Sequence, residues 1–263
     1  MDTLPALAPR AAPAVNLNRG LKPAAALGWL AAGWRDFAAA PLPSLAYGVL
    51  IFAVSAGIIR GLFAFGWDYI LFPALAGFMV VGPILAIGLY EKSRRLDEGE
   101  RISLARMVFV KPASGGQLLF TGVLLCLLML LWMRAAVIIY ALFFGLRPFP
   151  GLDHIAPMLF ATPVGWAMLV VGGLVGGLFA AFSFAISAFS IPMLLSERVD
   201  ALTAMGTSMA LVWNNLPVML TWAAIVLVLF LLSLATGLLG LIVIFPVLGH
   251  GAWRAWRAIG PAN

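Results

Sequence analysis

The sequence predicts an all-α protein: a polytopic transmembrane helical bundle of about six spans, with both ends in the cytoplasm. Hydrophobic residues make up 63% of its 263 positions and charged residues 10%, whereas ordinary soluble domains have about 50% and about 25%. The mean hydropathy is +1.07. Apolar runs recur at about 20 residues, the length that crosses a bilayer. This composition excludes a soluble enzyme, a disordered chain and a nucleic-acid-binding module.

Six apolar segments have the length of a membrane-spanning helix. They lie at about 44–65, 69–90, 118–142, 163–195, 217–235 and 239–258. The last two share one long apolar run, in which the sequence Ala235-Thr236-Gly237 favours a tight turn. We therefore expect a single transmembrane domain over 41–258.

The distribution of basic residues decides between five and six crossings. With six crossings, 13 of the 16 Lys and Arg residues lie on one side of the membrane, in 1–43, 91–117, 196–214 and 249–263. Five crossings would place Arg254 and Arg257 on the opposite side, against the excess of Lys and Arg typical of cytoplasmic loops. Six crossings, with both ends inside, is the better prediction.

The two ends of the chain differ from the spans. We expect a disordered cytoplasmic tail over 1–23 and a short tail over 259–263. Between the first tail and the first span, 24–40 is predicted to be an amphipathic helix on the membrane surface. Its apolar stripe has helical spacing and comprises Leu27, Leu30, Trp34 and Phe37.

Arg134 is the most informative single residue, because an arginine within a span costs about 2.5–3.5 kcal/mol on insertion scales. In the predicted topology Arg60, Asp68 and Asp153 lie near the same outer level. These four residues allow two interpretations. They line an outward-facing crevice for an anion, or Arg134 snorkels or pairs with Asp68 or Asp153 and so fixes helix packing. The second interpretation is the more economical.

A second group of charged and aromatic residues lies on the expected cytoplasmic side. The stretch 91–101 is the most densely charged of the chain, and 250–257 interleaves tryptophan with arginine. Such stretches mark topology and anchor helices at the interface, and they can also contact anionic lipid or a partner. The expected contact residues are Glu91, Arg94, Arg95, His250, Arg254 and Arg257.

The sequence predicts no catalytic residues, no cofactor and no metal. The two histidines, His154 and His250, fall on opposite sides of the predicted membrane, and Cys126 is the single cysteine. Haem and transition-metal sites need several such ligands close together. We therefore expect a protein that is not an enzyme.

Four segments together resemble a known family. They are GPILAIGLYEKSRRLDEGE (82–100), LWMRAAVIIYALFF (131–144), ISAFSIPMLLSERVDALTAMGTS (186–208) and FPVLGHGAWRAWR (245–257). In this order they resemble the bacterial "domain of unknown function 2189" family of predicted integral membrane proteins. The resemblance covers about 28–258 and implies a multi-pass protein of the bacterial inner membrane. The family typically has a histidine where this chain has Arg254, a departure that argues against a metal role for this segment.

Some members of that family are labelled as cytochrome c oxidase subunits. The resemblance therefore implies an accessory, assembly or scaffold component of a membrane complex, with a respiratory oxidase as one candidate. The expected partners are the lipid bilayer and either subunits of such a complex or further copies of this chain, but no nucleic acid. A small transporter or channel with an arginine-lined anion crevice is the alternative, and a lipid-modifying enzyme ranks last.

Overall fold

A computed structural model describes residues 17–100, 102–145 and 151–260, except for the side chains of Leu152 and Asp153. Of the predicted N-terminal tail over 1–23, residues 1–16 lie outside the described residues, as do 261–263 at the other end. Residues 17–23 are described, and there Arg19 donates hydrogen bonds to the carbonyl oxygens of Ile259 and Gly260. The described part is helical and contains no strand. The all-α prediction is confirmed.

Twelve α-helices and one short 3-10 helix, Asp68–Ile70, follow one another along the described chain. The α-helices are α1 (Ala25–Ala39), α2 (Pro41–Ala64), α3 (Leu71–Leu85), α4 (Ile87–Asp97), α5 (Leu104–Val108), α6 (Gly115–Phe144), α7 (Leu152–Phe160), α8 (Pro163–Ser187), α9 (Ser190–Ser196), α10 (Ala201–Asn214), α11 (Leu216–Ala235) and α12 (Leu241–Ile259).

Five helical segments of the described chain are long and apolar enough to cross a membrane. They are Pro41–Ala64, Asp68–Asp97, Gly115–Phe144, Pro163–Ser196 and Leu216–Ala235. These correspond to the first five predicted spans, so the expectation of about six is roughly consistent with the structure. The sixth, α12, is not among them, because His250 and two arginines make its second half polar.

Proline and capping residues explain several helix boundaries. Pro41 and Pro163 stand in the first turns of α2 and α8, where the missing N–H costs no helical hydrogen bond. Pro192 cannot donate to the carbonyl of Ala188, and the helix is interrupted there between α8 and α9. Asp200 accepts a hydrogen bond from the Thr203 backbone N–H at the start of α10, which lowers the pKa of its carboxyl group.

The turn between α11 and α12 has the tight geometry that the sequence indicates. Gly237 and Leu238 both have positive φ, 62° and 69°. Glycine adopts this conformation freely, whereas leucine does so at a cost. The turn brings α12 back along α11 and leads it towards the charged residues of α1 and α4.

Helix α1 covers most of the predicted amphipathic segment, and only part of its apolar stripe packs against the protein. Of the stripe, Leu27 and Trp34 are exposed, Leu30 is half-buried and Phe37 is buried; Trp29, Gly33 and Asp36 are buried as well. The helix exists where the sequence predicts it, but a face with glycine and aspartate packs inward. The reason is the partner: α1 lies against α12, whose arginine and glycine residues complement that face.

Candidate functional site

The buried polar residues of α1, α2, α4 and α12 meet at one end of the bundle, which we call the charged end. We call the cluster the charged junction. It consists of Asp36, Ser44, Lys92, Ser93, His250 and Arg254. Charged groups inside a membrane protein are costly unless paired, and they are functional-site candidates by default.

Lys92 is completely buried, and its ammonium group is fully hydrogen-bonded. It donates to the carbonyl oxygens of Asp36 and Ala40, at 3.2 and 2.6 Å, and to the Ser44 hydroxyl at 2.6 Å. The two carbonyls belong to the end of α1, where backbone acceptors lack helical partners and the helix dipole is negative. Lys92 therefore caps α1 from a neighbouring helix.

His250 connects two serine hydroxyls and is also completely buried. Its Nε2 atom lies 2.9 Å from Ser44 Oγ, and its Nδ1 atom lies 2.8 Å from Ser93 Oγ. Ser93 Oγ donates its single proton to Asp36 Oδ2 at 2.7 Å. Ser93 must therefore accept from His250 Nδ1–H, and the neutral imidazole accepts from the Ser44 hydroxyl at Nε2.

The result is a continuous chain of hydrogen bonds that runs in one direction. It passes from the Lys92 ammonium through Ser44, His250 and Ser93 to the Asp36 carboxylate. A buried cation and a buried anion are thus joined through a neutral histidine. Such networks polarise their members and are rigid when every donor and acceptor is satisfied.

Arg254 closes the charged junction on its exposed side. Its guanidinium group binds the Asp36 carboxylate through two hydrogen bonds, at 2.8 and 2.6 Å, and donates a third to Asp97. Trp253 Nε1–H donates to the other oxygen of Asp97 at 3.0 Å. This bidentate geometry is the strongest arrangement of an arginine–carboxylate pair, and a lysine ammonium group cannot reproduce it.

Glycine residues allow the backbones at this end to approach closely. A Cβ atom on Gly33 of α1 would lie 2.5 Å from Gly251 N and from Val247 O of α12. A Cβ atom on Gly48 of α2 would collide with the backbone of Ile242. Only glycine is compatible with these distances, so polar pairing and close backbone contact together fix α12 between α1 and α2.

Beside the charged junction lies an apolar cleft of about 540 Å³. Its walls come from α3, α4, α8, α10, α11 and α12. Helices α4 and α12 contribute to both features: Tyr90 and Gly249 line the cleft, and the neighbouring Lys92 and His250 belong to the junction. The two features therefore share a common wall.

Three of the four predicted outer residues, Arg60, Asp68 and Arg134, have described side chains. Arg60 and Arg134 are exposed, and Asp68 is half-buried. Among the described residues no ion pair involves either arginine, and neither lines the cleft. The side chain of Asp153 lies outside the described residues.

The predicted contact residues of the charged end are mostly engaged within the chain. Glu91 is buried and binds Arg94 and Arg95, each at 2.8–2.9 Å. His250 lies inside the protein rather than at its surface, and Arg254 binds two aspartates. Arg257 is exposed and lies 3.9 Å from Asp97.

Sequence reasoning missed Asp36, Ser44, Lys92, Ser93 and Tyr90 as site residues. A signal existed for part of the junction: His250 and Arg254 are one helical turn apart and therefore share a face. Asp36 also lies off the apolar stripe of its helix. Neither signal says which helices meet, so the junction itself could not be assembled from the sequence.

The hydrogen bonds of the charged junction bind and position its charged groups. The described residues contain no group of three His, Cys, Asp or Glu side chains that could hold a metal ion. In the described chain, every side-chain nitrogen or oxygen atom that is fully buried has a hydrogen-bond partner. The charged junction holds four helices together.

Comparison with known proteins supports the family resemblance. A family model described as "Predicted integral membrane protein (DUF2189)" matches residues 71–196, from the start of α3 to the end of α9. No curated protein and no solved structure matches the chain. The predicted resemblance is thus confirmed: 71–196 matches the "domain of unknown function 2189" family, and the chain is a multi-pass integral membrane protein.

Proposed function

We propose that this protein is a non-catalytic accessory or scaffold component of a membrane complex and that it binds its partner through the exposed face of α8. The observation that carries the proposal is an open pair of glycines. Gly173 and Gly177 are exposed and one turn apart, and a Cβ atom on either would contact nothing within 4 Å. Small residues at this spacing let transmembrane helices approach closely.

Other glycines within the spans support this assignment by contrast. Gly77 lies against Met129, Gly122 against Ile84 and Gly176 against Trp132, all within the protein. In these helices glycine therefore serves close packing between neighbours. The pair on α8 has the same composition but no neighbour among the described residues, and α2 carries a second open pair, Gly57 and Gly61.

The charged end supports the same proposal indirectly. Its acids and bases bind one another, so they favour a rigid support more than a reactive centre. One end of this protein is held rigid by ion pairs, and some faces of its spanning helices contact no other part of the described chain. A scaffold protein needs both properties. No specific observation favours the alternative of an arginine-lined anion pathway.

Purification of the tagged chain from its native membrane in mild detergent tests the proposal. We expect a stoichiometric partner, or a second copy, that is lost when Gly173 and Gly177 are both replaced by leucine. Val123→Leu is the matched control, because it changes an exposed apolar position of α6 that has no glycine pair. Oxidase subunits in the wild-type preparation would give the narrower assignment of an oxidase accessory protein.

Two results would overturn the proposal. One is a wild-type chain that elutes alone under conditions that preserve known complexes of the same membrane. The other is a partner that stays bound to the double leucine variant. Thermal unfolding of both variants must match that of the wild type, so that lost assembly is not confused with lost folding.

A further inference from the structure

The apolar cleft contains one polar group whose bonding is incomplete. Three hydroxyls of the described chain line it: those of Tyr90, Ser187 and Ser233. Ser187 donates to the Ser183 carbonyl and Ser233 to the Leu229 carbonyl of its own helix. Tyr90 as a whole is only 3% exposed, and no hydrogen bond of its hydroxyl is found among the described residues. Its hydroxyl oxygen therefore keeps some accessible surface, because every fully buried side-chain oxygen there has a partner.

The contrast with Tyr47 shows that this is unusual. Tyr47 is also buried, and its hydroxyl donates to the Leu85 carbonyl at 2.7 Å. Fully buried hydroxyls in proteins nearly always have a partner within the protein, whereas the Tyr90 hydroxyl keeps accessible surface and can donate to a group that enters beside it. A hydroxyl beside an otherwise apolar cleft is suited to a ligand that is largely apolar and brings one hydrogen-bond acceptor.

The size of the cleft limits what can enter. Its volume of about 540 Å³ lies within the range of small-molecule pockets, about 300–1,000 Å³. A flexible hydrocarbon chain is among the ligands that a cleft of this size accommodates.

The depth of Tyr90 indicates the kind of acceptor. Tyr90 is seven residues before Asp97, the polar end of its span, which corresponds to about 10 Å along a helix. Trp213 also lines the cleft and is 76% exposed, as expected of an aromatic side chain at the membrane interface. At this depth, between headgroups and hydrocarbon, phospholipids present their ester carbonyl oxygens.

We propose that the cleft binds one acyl chain of a membrane phospholipid and that the Tyr90 hydroxyl donates a hydrogen bond to an ester carbonyl of that lipid. The aromatic and aliphatic walls, which include Phe78, Phe184, Ala223 and Phe230, enclose the chain. This is a defined binding site, distinct from the lipid that surrounds any membrane protein, because it has a fixed polar contact and a limited volume.

Photolabelling of the full-length protein tests the site. The protein is reconstituted in vesicles of phosphatidylethanolamine and phosphatidylglycerol that contain a trace of phosphatidylethanolamine with a diazirine in its acyl chain. After irradiation, labelled peptides are mapped by mass spectrometry. We expect label on the cleft walls of α8 and α11, and we expect excess unlabelled phospholipid to compete with it.

Variants separate this site from general lipid contact. Tyr90→Phe removes only the hydroxyl and should weaken cleft labelling by about 2- to 10-fold, the effect of one hydrogen bond. Tyr69→Phe, at an exposed tyrosine, is the matched control and should leave labelling unchanged. Ala223→Trp should abolish cleft labelling by filling the space, with Leu130→Trp on the exposed face of α6 as its control.

Three outcomes would overturn the proposal. The first is equal labelling of the cleft and of exposed α6, unaffected by the tyrosine and alanine variants. The second is competition by a free fatty acid or an isoprenoid quinone but not by phospholipid. The third is a cross-link from a photoreactive residue at position 223 to a protein partner or second copy instead of to lipid. Because Tyr90→Phe is a mild change, the test stands even if Ala223→Trp fails to fold.

Discussion

At the charged end of the bundle Lys92, Ser93 and His250 are completely buried, whereas only 11–28% of the most apolar window of each of the five spans is buried. The charged end and the spans are stabilised by different interactions. In the spans, lipid is as apolar as leucine, so burial against protein gives no hydrophobic gain. At the charged end, each buried ion needs a specific partner. Polar pairing and close glycine contacts therefore distinguish the charged end from the spans.

The largest expected effect comes from removing the anion of the charged junction. Asp36→Ala leaves Arg254 with one of its two carboxylate partners and deprives Ser93 of its acceptor. Loss of one member of a buried ion pair typically costs about 3–5 kcal/mol. We expect a marked fall in the midpoint of thermal unfolding in detergent.

Leu131→Ala, at an exposed position within α6, is the contrasting variant for the spans. It should change the unfolding midpoint little, because its side chain contacts the surrounding lipid or detergent in both states. If Asp36→Ala and Leu131→Ala lowered the unfolding midpoint equally, the two regions would not differ in how they are stabilised.

The close contact of α1 with α12 gives the next effect. Gly33→Ala places a methyl group 2.5 Å from backbone atoms of Gly251 and Val247, which cannot move independently. Such overpacking typically costs about 1–3 kcal/mol. Gly28→Ala on the same helix meets nothing within 4 Å and should stabilise slightly, since alanine favours helix over glycine. Unfolding curves of the two variants should therefore shift in opposite directions; a shift in the same direction would contradict the close approach of the α1 and α12 backbones.

A smaller loss is expected from Ser93→Ala. This change removes the donor to Asp36 and the acceptor for His250 Nδ1–H. A buried polar group left unpaired typically lowers the free energy of unfolding by about 1–3 kcal/mol. The control is Ser103→Ala, because Ser103 is exposed and its side chain does not cap α5. Chemical denaturation of both variants measures the difference. If the two serines behave alike, the hydrogen-bond chain through His250 contributes nothing to stability.

The smallest effect is expected at the exposed end of α4. Glu98→Gln disrupts ion pairs with Arg94 and Arg95, all of them partly or largely exposed to solvent. Exposed pairs contribute about 0–1 kcal/mol and are weakened by salt. The unfolding midpoint should hardly change, and the remaining difference should shrink as the salt concentration rises. A loss comparable to that of Asp36→Ala would show that exposed pairs also specify the fold.

The sequence was sufficient for the helical class, the spans and the turn near Gly237, because each depends on composition and local spacing. It was not sufficient for the charged junction. Lys92 stands in the most densely charged stretch, which is typical of a solvated helix end, yet it is buried because α1 and α2 supply its acceptors. The packing of Asp36 and Gly33 against α12 could not be predicted for the same reason, because Asp36 and its partner Arg254 lie more than 200 positions apart. Long-range pairing leaves no local signature.

The bond between Arg254 and Asp36 joins residues 218 positions apart. At ribosomal rates of about 5–20 residues per second, Asp36 is made about 10–40 s before its partner. For about the last three quarters of that interval Lys92 and Ser93 have been synthesised, and His250 is added only just before Arg254. In the nascent chain, the polar groups of α1 and of the end of α4 must therefore contact water, lipid headgroups or a chaperone until α12 is synthesised and packs against them. The burial of charged groups, which costs the most free energy, is thus completed only when the last helix has been made.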